Sequence, residues 1–143
     1  MEMYNKIILP TDGSKCAMKG VQEGLEFGEE LGIKVIAIYV VNTSEFESLH
    51  HESIKASAKS GLKEKGKKAL DAVKEAAEGR DIELETKIVS GKPYKKITDL
   101  ADKNDIIYIS THGLSGFSNL FLGSTTERVL KNTEATVAVV NGK

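Results

Sequence analysis

At 143 residues with 40% hydrophobic side chains, the chain has the size and apolar content of one domain, residues 1–143, built around a single core; a second domain is not expected. Lys and Arg number 20 against 21 Asp and Glu, a balance that argues against charge-driven capture of nucleic acid or an anionic membrane, so any phosphate must be held locally. Cys16 alone cannot form an intramolecular disulfide, the opening apolar run Ile7 to Leu9 is too short for a secretory leader, and no apolar stretch nears the roughly 18 residues of a membrane span, so a cytoplasmic protein is expected.

Lys6 to Leu9 is short and β-branched and reads as a strand. The polar turn Pro10-Thr11-Asp12-Gly13-Ser14 follows. Ala17, Val21, Leu25, Gly28 and Leu31 then recur at helical spacing, and Gly32 supplies the left-handed residue that ends such a helix. Val35 to Val41 is the second strand. The polar segment Asn42 to Ser60, with adjacent His50 and His51, reads as a loop leading into a long helix whose stripe runs through Ile54, Ala58, Leu62, Ala69, Val73 and Ala76 and stops at Gly79. In Ile82 to Val89, Glu83, Glu85 and Lys87 alternate with apolar neighbours, the pattern of a half-exposed edge strand. Pro93 opens a third helix carrying Ile97 and Leu100. Asp105 to Ser110 is a fourth strand, a helix covers about Thr125 to Lys131, and Thr136 to Val140 is the last strand.

Strands alternating with helices, most of them apolar throughout, call for an open five-stranded parallel sheet with helices on both faces, an α/β fold. In such sheets ligands sit beyond the carboxyl ends of the strands, where the winding reverses. Two loops there are rich in small residues: the Asp12 turn, and the segment after the fourth strand that contains Gly113 and leads to Gly123-Ser124-Thr125. Backbone N–H groups at a helix N-terminus, with the helix dipole behind them, make a phosphate cradle without any lysine. A purely structural account competes at each position: Ser124 with Glu127 spells a capping box, and Asp12 can tie its own turn. His50 and His51 are neighbours and do not share a helical face as a zinc pair would. His112 flanks the Gly113 loop and reads as a structural donor. Cys16 reads as a small core residue, and Lys63, Lys65, Lys67 and Lys68 as a solvated helix face. No Gly-Lys-Ser/Thr phosphate loop is present, which excludes a P-loop ATPase.

Taken together, Ile7-Ile8-Leu9-Pro10-Thr11-Asp12-Gly13-Ser14, Tyr39-Val40-Val41, Gly91-Lys92-Pro93 and the glycine spacing resemble the universal stress protein family over essentially the whole chain. The family's nucleotide-binding motif is glycine, two residues, glycine, nine residues, glycine and serine or threonine; it falls here on Ser110, Gly113, Gly123 and Ser124, with serine in place of the first glycine. The resemblance implies strand order 3-2-1-4-5 and an adenosine pocket lined by Pro10, Asp12 and Val40. It places Gly113 against ribose and phosphate, and Gly123, Ser124 and Thr125 around the phosphates of ATP, whose Mg or Mn ion the nucleotide itself carries. It also implies a homodimer joined through Thr136 to Val140. Two alternatives stay open: a dimeric scaffold of the same fold that binds no nucleotide, favoured by Ser110, and slow ATP hydrolysis.

Overall fold

Among the residues described by this computed structural model, 3–112 and 122–143, five strands alternate with four α-helices. The order is β1 (Lys6–Pro10), α1 (Lys15–Leu31), β2 (Lys34–Asn42), a 3-10 turn at Thr43–Glu45, α2 (Glu52–Ala77), β3 (Leu84–Gly91), α3 (Pro93–Leu100), β4 (Ile106–Ser110), α4 (Ser124–Asn132) and β5 (Thr136–Val140). All pairings are parallel, in the order β3-β2-β1-β4-β5. The fold class and the strand order are those expected, with β3 at one edge and β5 at the other.

The two-residue period of a strand divides the apolar side chains between two cores. Ile7 and Leu9 of β1, with Val35, Ala37, Tyr39 and Val41 of β2, pack beneath Val21 and Leu25 of α1 and Ala69, Leu70 and Val73 of α2. Ile8, Ile36, Ile38, Ile107 and Ile109 face the other way, onto Ile97 of α3 and Val129 of α4. Ile7, Ile8, Leu9 and Ile107 are wholly buried, each worth about 1.5 to 3 kcal/mol of transfer free energy. The central strands are therefore apolar on both faces, as parallel sheets require.

Helix α1 approaches the sheet along a glycine row that the apolar pattern concealed. Gly20, Gly24 and Gly28 are buried and four residues apart. A Cβ on Gly20 would lie 2.9 Å from Ser110 Oγ, one on Gly28 would lie 2.6 Å from Val35 Cγ2, and one on Gly24 would overlap Leu9 Cδ2. Leu31, expected in the apolar stripe, is instead exposed, because it lies one turn beyond the last glycine contact. At the ends of α1 the local chemistry is as read: Ser14 Oγ accepts from Ala17 N at 3.1 Å, and Gly32 takes φ 67° with its N–H on Gly28 O at 2.9 Å.

One segment differs from expectation. Asn42 to Ser60 is not a continuous loop: the 3-10 turn holds its start and α2 begins at Glu52. The first fourteen residues of α2, Glu52 to Lys65, contain no buried side chain; of the expected stripe, Ile54 is exposed and Leu62 packs at the margin of the core. Glu52, Lys55, Ala56, Ala58 and Lys59 are good helix formers, and propagation from the packed half extends the helix outward. His50 and His51 are exposed, as are Lys63, Lys65, Lys67 and Lys68.

At the amino ends of the strands, Asp105 is fully buried and its Oδ2 lies 2.6 Å from Lys6 Nζ, itself 25% exposed. The same oxygen accepts from Asp102 N at 2.8 Å, while Oδ1 has no hydrogen-bond partner. This pair binds β1 to β4 at the end of the sheet remote from the loops expected to carry function.

Candidate functional site

After β1 the chain passes through α1 to β2 and β3 on one side, whereas β4 and β5 lie on the other, so the loops following β1 and β4 part and leave a crevice between them. The first loop is pinned from within. Thr11 N extends the ladder to Ile38 O at 3.0 Å, Thr11 Oγ1 accepts from Gly13 N at 3.1 Å, and Asp12 Oδ1 accepts from Ser14 N at 2.9 Å. Gly13 sits at φ 84°, a conformation that suits glycine. Asp12 thus ties its own turn, as the structural account expected, and also lines the crevice.

Across the gap, Thr111 organises the exit from β4. Its N–H bonds Val140 O at 2.9 Å and its carbonyl accepts from Gly123 N at 2.7 Å. Its hydroxyl lies 2.9 Å from His112 Nδ1 and accepts from Gly142 N at 3.1 Å. Thr126, buried, donates to Ser110 O at 2.8 Å, so the start of α4 is fastened to the end of β4 at two points.

The expected capping box does not form. The N-cap is Gly123, at φ −60° and ψ 152°, and among the described residues no side chain caps the helix. Ser124 is already the first helical residue, one position too late to cap. Glu127 meets Lys131 at 2.8 Å instead, and that hydrogen bond, with the lysine's charge, holds its carboxyl below the ordinary carboxylate range. With the competing structural role removed, the N-terminal amides and the Ser124 and Thr125 hydroxyls stand at the crevice.

Ser110, the departure from the glycine motif, turns its hydroxyl onto α1. Oγ accepts from Gly20 N at 3.2 Å and donates to Cys16 O, entering the backbone ladder of the helix at the Cys16–Gly20 step. Gly20 lacks the Cβ that would block this approach. Cys16, read as a core residue, is only half-buried and lies against Gly142.

The result is a cleft of about 300 Å³ whose lining includes Pro10, Asp12, Val40, Gly123, Ser124 and Thr125. Gly113, the remaining expected residue, lies outside the described residues. Sequence reading missed Tyr39, Asn42 and Glu45, which line the same cleft. The signal was available: they lie in the second half of β2 or just beyond it, at the carboxyl edge where the loop after β2 also converges. Burial holds the Tyr39 phenol above its ordinary range, and the Glu45 and Asp12 carboxylates push it the same way. The cleft is therefore bipolar, with carboxylate acceptors on one side and the positive end of the α4 dipole on the other. Among the described residues no three His, Cys, Asp or Glu side chains gather to hold a metal, and no helix is long and apolar enough to cross a membrane.

The model of the universal stress protein family matches residues 3–141. The chain belongs to this family. It is 36% identical over 140 residues to universal stress protein MJ0531 of Methanocaldococcus jannaschii, covering 96% of this chain and 82% of that one. The structure of MJ0577, another universal stress protein of that organism, superposes with a TM-score of 0.86 at 31% identity over 99% of this chain and 98% of the other. A universal stress protein solved in complex with cAMP shares the fold at a TM-score of 0.68 and 21% identity, over 98% of each chain.

Proposed function

We propose that this universal stress protein binds an adenine nucleotide, ATP in its fullest form, and works as a nucleotide-dependent regulatory module. The observation that carries the reading is the bipolar cleft. Asp12 faces it as an acceptor suited to ribose hydroxyl or base amino protons, and Pro10 and Val40 offer apolar contact for adenine. Opposite them, α4 begins with amides that, among the described residues, no side chain caps, a site for phosphate. The cAMP complex of a protein with this fold is in keeping with it. A Mg or Mn ion on a polyphosphate would be held by the nucleotide's own oxygens.

The variant Ser124→Pro tests the cradle. Proline is favoured at the first helical position, and Gly123 already has the extended backbone that a residue before proline adopts. The substitution therefore deletes one N–H and one hydroxyl while leaving α4 in place. Calorimetric titration with AMP and with Mg-ATP should show a loss of about 10-fold in affinity, in line with one charge-assisted hydrogen bond, at unchanged far-UV dichroism. Wild-type protein that binds neither ligand at millimolar concentration defeats the reading.

The homodimer is proposed on the state of β5. Among the described residues its outer edge is unpaired, and Val139 and, on α4, Leu130 are 38% and 41% exposed, an edge of the kind that a second copy covers. Sedimentation equilibrium should return twice the chain mass, and Val139→Glu should shift the protein toward monomer; a strict monomer in the wild type overturns the dimer. This dimer without nucleotide is the scaffold alternative, but Ser110, the residue that favoured it, spends its hydroxyl on α1.

A further inference from the structure

The described lining of the cleft holds two carboxylates, Asp12 and Glu45, and neither lysine nor arginine. The sequence from Gly113 to Thr126 has no charged residue either. Among the described residues, what the cleft offers an anion is thus amide hydrogens, the Ser124 and Thr125 hydroxyls, the His112 ring and the dipole of a short helix, about half an elementary charge, facing two full negative charges.

Glu45 is not a casual surface residue of a slack loop. Asn42 Oδ1 accepts from Ser44 N at 3.1 Å and from Ser44 Oγ at 2.7 Å, and Phe46 N closes the turn on Thr43 O at 3.3 Å. The next residue, Phe46, packs against the α1–α2 core. The backbone of the turn is anchored on both sides of Glu45, whose exposed side chain lines the rim of the cleft. The fields of Glu45 and Asp12 meet at the Tyr39 phenol, which both push upward in pKa after burial has raised it.

We propose that Glu45 is a specificity-determining residue that, with Asp12, makes the cleft read the charge of its ligand, accepting adenosine monophosphates directly and di- or triphosphates only with a divalent cation. The proposal rests on the adenine-nucleotide reading of the cleft. Each added phosphate adds negative charge to a cleft whose described lining already carries two carboxylates and neither lysine nor arginine, so repulsion grows with chain length. A divalent ion on the phosphates cancels most of that excess and turns the same carboxylates into favourable partners.

The test is titration calorimetry of adenosine, AMP, ADP and ATP, in EDTA and in magnesium, on the wild type, Glu45→Gln and Glu45→Lys. In EDTA the wild type should bind ATP on the order of 10-fold more weakly than AMP, and magnesium should abolish that gap. Glu45→Gln should raise the metal-free ATP-to-AMP affinity ratio roughly 5-fold and Glu45→Lys further, both effects shrinking as salt is added. An ATP-to-AMP ratio in EDTA that is flat in the wild type, or the same in all three proteins within about two-fold, overturns the proposal while leaving nucleotide binding intact. Absence of binding by all four ligands in both buffers overturns the parent reading, and this one with it.

Discussion

Gly24→Val is expected to remove about 3 kcal/mol of stability, read as a lower guanidinium midpoint at unchanged slope. Gly24 faces the sheet from the middle of α1, where even a Cβ would overlap Leu9 Cδ2 and lie 3.2 Å from Tyr108 Cβ. Leu9 is wholly buried, so either its side chain is forced from its rotamer or the helix lifts from β1 and β4, and both weaken the packing. Helix propensity works the other way, since glycine is the poorer helix former, but that gain is smaller than the overpacking cost. Gly61 provides the contrast. It lies in the exposed half of α2, where an added Cβ would meet nothing within 4 Å, so Gly61→Ala should stabilise by about 0.5 to 1 kcal/mol. Equal effects of the two substitutions would remove close helix–sheet approach as the reason for the glycine row.

Lys6→Met should cost about 3 kcal/mol at neutral pH, and Asp105→Asn about half as much or less. The asymmetry follows from burial. Removing the lysine leaves a carboxylate that is fully buried and has one oxygen already without a hydrogen bond, the costly case of a broken ion pair. Removing the acid's charge leaves Lys6, whose side chain is 25% exposed and can carry its ammonium to water. Asparagine also keeps an oxygen for the Asp102 amide. Thermal or denaturant unfolding of the two single variants and the double variant checks this, with a coupling term expected in the cycle. Equal losses in the two single variants would show that burial of the acid does not set the cost.

The architecture was legible because its cause is local and repetitive. A parallel strand buried on both faces must be apolar along its length, so β1, β2 and β4 stood out; β5 is as apolar but lies half-buried at an edge, and the charges of Glu83, Glu85 and Lys87 marked β3 as the other edge. Capping was legible where one residue decides it, as at Ser14 and Gly32. It failed at Ser124, because whether serine caps or begins a helix depends on one residue of phase, which the hydrogen bonds of Thr111 and Thr126 to neighbouring strands fix. The start of α2 at Glu52 was blurred since Glu52 to Lys65 bury no side chain, which leaves the stripe of Ile54, Ala58 and Leu62 thin against its polar surroundings. In the cleft, Pro10, Asp12, Val40, Gly123, Ser124 and Thr125 were drawn from the resemblance to the family and its glycine motif. Glu45 was missed because nothing in the sequence says that a carboxylate three residues past a strand is turned back over it; the Asn42 to Ser44 hydrogen bonds do that.

Thr111 is a knot in which three strings meet. Its amide holds β5, its carbonyl holds the residue that opens α4, and its hydroxyl holds both Gly142 near the tail and the His112 ring. A load placed on the outer strand, such as a second subunit docking there, is shared at one residue with the mouth of the cleft. Whatever free energy a ligand's occupancy lends to assembly, assembly must return to occupancy in equal measure.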